Sequence, residues 1–157
     1  MRIFLLLLIL TFTLSCATRK IEYNRNKILK KYTADYQVFL DDEKMNLKST
    51  YLDKNNIESI ELDNRNKTLK INQFRAAEFF DIKELTLDRM ISQNKNWKEK
   101  SIEIIIIDGI PILDSLLQKT KIDTNAIKTF TILPKEKMNK IGFCREYNGQ
   151  VVLITTE

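Results

Sequence analysis

This 157-residue chain contains no histidine, so carboxylates are the first candidates for chemistry. The absence removes the commonest general base, the usual transition-metal ligand and every histidine-based triad. Acid–base work could still fall to Asp41, Asp42 and Glu43, or to Asp108 with Asp114. Each of these lies where turn and capping chemistry accounts for it, so no catalytic residue is expected. The acidic run also lacks the alternating oxygen ligands of a calcium loop, and three glycines leave no phosphate-cradling loop. The expectation is a protein without metal or cofactor.

Cys16 carries the strongest chemical signal. Arg2 precedes an unbroken apolar run over residues 3–10, and Thr13, Leu14 and Ser15 lead to the cysteine. That is the layout of a secretion signal over residues 1–15. Residues 3–14 would rise only about 18 Å as a helix, whereas a membrane span needs roughly 20 apolar residues. The segment resembles bacterial lipoprotein signals, in which the cysteine is diacylated and becomes the new N-terminus. Those signals prefer leucine three places before the cysteine, where this chain has Thr13, a looseness that resembles lipoproteins of the Bacteroidetes group. The resemblance implies lipid attachment at Cys16. It also implies an outer-membrane lipoprotein facing the periplasm, because the acidic residues that follow the cysteine in surface-exported relatives are missing after Cys16. Cys144 is then the remaining thiol and reads as a small buried hydrophobe rather than half of a disulfide.

The net charge of +5 would suit a nucleic-acid binder if it were spread over the fold. It is not. Arg19, Lys20, Arg25, Lys27, Lys30 and Lys31 face Glu22 alone, and the chain from Tyr32 onward is close to neutral. Nucleic acid is therefore not an expected partner. Residues 16–34 read as a basic tether with some helical tendency, either lying on anionic headgroups or holding the domain off the membrane. Residues 35–157 suit one domain with a real core.

Within that domain strands alternate with short helices. Tyr36, Val38 and Leu40 alternate as a strand, and the run from Asp41 to Lys44 turns it. Asp53 can cap a single helical turn ahead of a strand at Ile60 and Leu62, and residues 64–67 turn into a strand through Leu69 and Ile71. Ala76, Ala77, Phe79 and Phe80 favour a short helix, and Leu87, Met90 and Ile91 a second. The β-branched run 104–107 predicts a central strand buried on both faces, ended by Asp108 and Gly109. Ile110, Pro111 and Ile112 follow, with Asp114 as an N-cap for residues 115–119. Asp123 caps another turn, residues 129–133 make a strand, Pro134 starts a helix through Lys140, and Gly142 stops it. Val151, Val152, Leu153, Ile154 and Thr155 form the last strand. Ile105, Ile107, Ile132 and Val152 are expected in one core. The class is α+β, a small mixed sheet with short helices.

A weak repeat is visible. Asp53, Asn55, Ile57, Ile60 and Leu62 correspond to Asp123, Asn125, Ile127, Phe130 and Ile132, a shift of 70, and residues 38–41 correspond to 105–108 with a shift of 67. Two βαβ-type half repeats, or grammar shared by unrelated βαβ units, would both produce this.

The order Asp108, Gly109, Pro111, then a capped turn and strand, a glycine-containing loop from Gly142 to Gly149, and a strand reading V-V-L-I-T-T resembles the plug domain of TonB-dependent outer-membrane receptors. The I-E-S-I-E segment at residues 57–61 is similar to the same family's capped-turn segment. The resemblance covers about a third of the chain. The Y-G-x-x-G loop of the family is reduced here, no TonB-contacting box is evident, and no barrel follows within these residues. What it implies is a plug-like fold and an envelope context without transport. The expected function is a lipid-anchored interaction module contacting an outer-membrane protein, with the strand at Val151, Val152, Leu153, Ile154 and Thr155 as an edge that a partner strand extends. The alternative is a small-ligand binder or enzyme whose site lies in residues 74–100.

Overall fold

The structure, a computed structural model, describes residues 18–93, 102–133, 137 and 149–156. In chain order the first elements are β1 (Thr18–Lys20), α1 (Arg25–Lys31), β2 (Gln37–Leu40), β3 (Glu43–Lys44), β4 (Thr50–Tyr51), β5 (Ile57–Asp63) and β6 (Thr68–Gln73). There follow β7 (Phe79–Asp81), α2 (Ile82–Gln93), β8 (Ile102–Ile107), β9 (Ile110–Ile112), α3 (Asp114–Leu117), β10 (Lys121–Asp123), β11 (Ile127–Leu133) and β12 (Gln150–Thr156). This is a mixed α and β protein built on small mixed sheets. Its contacts divide it into two compact units, where the sequence reads as one domain.

Among the described residues, unit 1 joins residues 18–45 to 57–73 and holds a five-stranded sheet in the order β1-β5-β6-β2-β3. β5 and β6 are an antiparallel hairpin, closed by Asp63, whose carboxylate accepts from the backbone N–H groups of Arg65 and Asn66 and from the Asn66 amide. These bonds, the Asn66 backbone bond foremost, hold the Asp63 carboxyl below its usual pKa. Burial alternates along β5 and β6, so Ile60, Leu62, Leu69 and Ile71 form one apolar face. The stretch expected as a tether is folded from Thr18 on. β1 pairs antiparallel with β5, and α1, capped by the Asn24 side chain on the Lys27 N–H, buries Ile28. Burial of Tyr23, Ile28 and Tyr32, with Ile21 half-buried, draws this charged segment into the unit.

Unit 2 joins residues 46–56 to 74–157. One sheet runs β4-β10-β7 and the other β11-β12-β8-β9. Its core gathers Ile82, Leu85, Met90, Ile105, Ile107, Ile112, Ile122, Val152 and Ile154, with Phe130 and Ile132 packed against it. The four residues expected in one core are thus together. On β8, Ile105 and Ile107 are fully buried while Ile104 and Ile106 are half-covered, so one face is core and the other only partly screened.

Two expectations fail here for tertiary reasons. Phe79 and Phe80 lie in a strand rather than a helix, because β10 recruits β7 through the pairs Lys121 with Asp81 and Ile122 with Phe80. Asp81 then accepts from the N–H groups of Lys83 and Glu84 and starts α2, which carries Met90 into the core. The N-cap position of α3 is Leu113, without a side-chain cap, and Asp114 is the first helical residue. The helix expected from Pro134 to Lys140 and its stop at Gly142 fall outside the described residues, Lys137 apart.

The two halves share one plan. The antiparallel pair β5-β6, the parallel pair β6-β2 and the antiparallel pair β2-β3 recur as β11-β12, β12-β8 and β8-β9. Even the irregularity is repeated: β5 breaks register between Ile57 and Ser59, and β11 between Ile127 and Thr129. Ahead of each strand a 3-10 turn is capped the same way, Asp53 accepting from the Asn55 N–H and Asp123 from the Asn125 N–H, both at 2.9 Å. The repeat visible in the sequence is thus matched by strand pairing, register break and cap.

Candidate functional site

Of the carboxylates singled out in the sequence, Asp41 and Asp108 serve the backbone. Asp41 and Asp42 adopt left-handed φ of 45° and 74°, and Asp108 and Gly109 adopt 52° and 79°, as the tight turns from β2 to β3 and from β8 to β9 require. Asp41 accepts from the Gln73 N–H at 2.9 Å, fastening that turn to the end of β6. Asp108 does the same for β12, accepting from the N–H and the hydroxyl of Thr156 at 2.7 and 2.6 Å. Asp42 pairs with the Lys70 ammonium at 2.7 Å, which raises the Lys70 pKa. Among the described residues no group of three or more acidic or thiol side chains could hold a metal ion.

Of the plug-like positions, Asp108, Gly109 and Pro111 lie together at the β8–β9 turn, and Gly149 precedes β12, but Gly142 lies outside the described residues, as do Cys16 and Cys144. Of the segment 74–100, the part described forms β7 and α2.

The strand expected as a partner-contact edge is not an edge. β12 lies between β11 and β8, with Val151, Val152, Leu153 and Ile154 registered to both neighbours and Thr155 to β11. Strand alternation identifies Val151 to Thr155 as a strand, but it carries no information on sheet order, and the parallel return to β8 places it inside. No backbone ladder is left for a partner to extend.

The open edge is β11. Ile154 accepts from the Asp108 N–H at 2.9 Å, so its backbone points to β8. Its antiparallel partner Phe130 therefore belongs to a non-hydrogen-bonded pair and points its own N–H and C=O away from β12, as does Ile132 opposite Val152. In unit 1 the equivalent groups are used: Ile60 accepts from the Ile21 N–H at 3.1 Å, and Arg19 pairs with Leu62. In unit 2 the stretch 67 residues after β1 lies within α2, so that cover cannot form, and among the described residues nothing pairs with the outer side of β11.

The other edges are blunted. β3 and β4 have two residues each, β1 and β7 have three with Arg19, Lys20 and Asp81 among them, and β9 carries Pro111. β11 has seven residues, no proline, and from Thr129 to the end no charge. Short length, charge and proline are the usual protections of a sheet edge, and β11 has none of them over residues 129–133. Its Phe130 ring is held by the Arg89 guanidinium, 5.1 Å from the ring centroid. The strongly exposed large apolar side chains among the described residues, including Phe74, Ile91, Ile110 and Leu113, also all belong to unit 2. The uncharged run T-F-T-I-L was the available sequence signal, but only sheet order shows that it is an edge.

Comparisons with protein family models, curated proteins and solved structures found no match.

Proposed function

We propose that the protein is a lipid-anchored contact module of the cell envelope, attached at Cys16, facing the periplasm, and engaging an outer-membrane protein by strand addition. The observation that carries this reading is the outer edge of β11, unpaired among the described residues, whose counterpart in the other half is closed by an antiparallel strand. The partner supplies a short, uncharged, extended segment that runs antiparallel to Thr131, Ile132 and Leu133, as β1 runs along Glu61, Leu62 and Asp63. Main-chain bonds provide the affinity, and the half-buried Phe130 and Ile132 provide the apolar footing. The plug-like order of Asp108, Gly109 and Pro111 supports the envelope context.

The test is an affinity pulldown from crosslinked envelopes with wild type and Ile132→Pro. Proline at 132 removes an outward N–H and leaves the β12 ladder intact, so circular dichroism should be unchanged while the partner is lost. Equal recovery by the folded proline variant, or recovery of no specific envelope protein by wild type, contradicts the reading.

A further inference from the structure

Unit 1 contains a cleft of about 240 Å³ between β1 and α1. Its lining is unusually one-sided in charge. Arg19 and Lys20 come from β1 and Lys27 and Lys31 from α1, against a single carboxylate, Glu22. All four cations are exposed at the rim, and none is ion-paired to a carboxylate among the described residues. Ile21 and the buried Ile28 and Tyr32 complete the lining, and the Lys31 ammonium lies 5.3 Å from the centre of the Tyr32 ring. Strand alternation puts Arg19 on the same face of β1 as Ile21 and Lys20 on the other, while Lys27 and Lys31 lie one turn apart on α1, so two elements fixed by backbone pairing and capping bring the Arg19, Lys27 and Lys31 cations to a small cleft.

We propose that this cleft binds a phosphate ester, with the anion held by Arg19, Lys27 and Lys31 and its organic part resting on Ile21, Ile28 and Tyr32. Arg19 supplies a planar fork suited to two phosphate oxygens, and the lysines add point charges. A diacylglycerol phosphate headgroup and a free phosphate ester share this chemistry. The headgroup is the favoured source, because Arg19 lies three residues after Cys16, so the chain that would carry the lipid also delivers the cleft to a bilayer surface. This inference is independent of β11, and either can fail alone.

The test uses the full chain in isothermal titrations with dihexanoyl phosphatidylglycerol, glycerol 3-phosphate, inorganic phosphate and, as a zwitterionic control, dihexanoyl phosphatidylcholine. Phosphatidylglycerol should bind, with affinity falling as salt rises, and Arg19→Gln with Lys27→Gln should weaken it at least tenfold. Lys54→Gln with Lys83→Gln, two lysines remote in sequence from the cleft, should change it less than twofold. Glycerol 3-phosphate binding as tightly as the lipid, with the same loss in the Arg19 and Lys27 variant, supports the phosphate site and assigns it to a free ester. Binding of phosphatidylcholine as tight as phosphatidylglycerol, equal loss in both double variants, or no binding of any anion overturns the proposal.

Discussion

Asp42 and Gly109 stand at the same place in the two halves, the second left-handed residue of a tight turn, with φ of 74° and 79°. Glycine meets that conformation without cost, whereas an L-residue is strained by about 1–2 kcal/mol. Asp42→Gly should therefore stabilise the protein by about 1 kcal/mol, since the exposed pair with Lys70 that it removes contributes less than that. Gly109→Ala should destabilise by a similar amount through backbone strain alone, because an added Cβ there meets nothing within 4 Å. Thermal melts of the two variants moving in opposite directions check this. At Tyr23, burial pushes the phenol from 10.0 up to about 12, with Arg25 pulling weakly the other way. The folded state thus favours the neutral phenol, a contribution fully present below about pH 10 and lost as pH rises toward about 12. Its hydroxyl is buried with no hydrogen-bond partner among the described residues, so Tyr23→Phe should be at least as stable at neutral pH and should flatten the decline above pH 10 in urea titrations.

Capped turns and their strands form the next scale. Asp53→Ala removes the bond to the Asn55 N–H and should cost about 1 kcal/mol. Asp123→Ala removes the equivalent bond but also a buried carboxylate oxygen without a partner among the described residues, so its loss should be smaller. Chemical denaturation that ranks Asp123→Ala as the more costly would contradict this balance. Ile107→Ala, at the centre of the unit 2 core, should cost about 2–5 kcal/mol. The elements legible in the sequence were those written in local chemistry: the Asp53 and Asp123 caps, the turn over residues 64–67 and the one at Asp108, and the period-2 apolar pattern of β5 and β6. What a distant strand decides was not legible. Phe79 and Phe80 look helical until β10 pairs with them, the basic segment looks like a tether until β5 takes up Thr18–Lys20, and β12 looks like an edge until β8 and β11 flank it. The candidate site belongs to this second kind. Its residues are ordinary, and only the comparison of two half repeats reveals that one edge is closed and its counterpart open.

For the whole molecule, the account is of one plan used twice with a different outcome: among the described residues, unit 1 closes its sheet with β1 and gathers cations beside it, and unit 2 leaves β11 unpaired and carries the exposed apolar side chains. The central claim is that the β11 edge is where another envelope protein sits. A photo-crosslinking amino acid placed at Thr131, exposed on β11, and in a separate strain at Lys44, exposed on the charged two-residue edge β3, tests it in living cells. Irradiation should trap a discrete envelope-protein adduct from position 131 and none from position 44. No adduct at 131, or the same adduct from both positions, would contradict strand addition at β11.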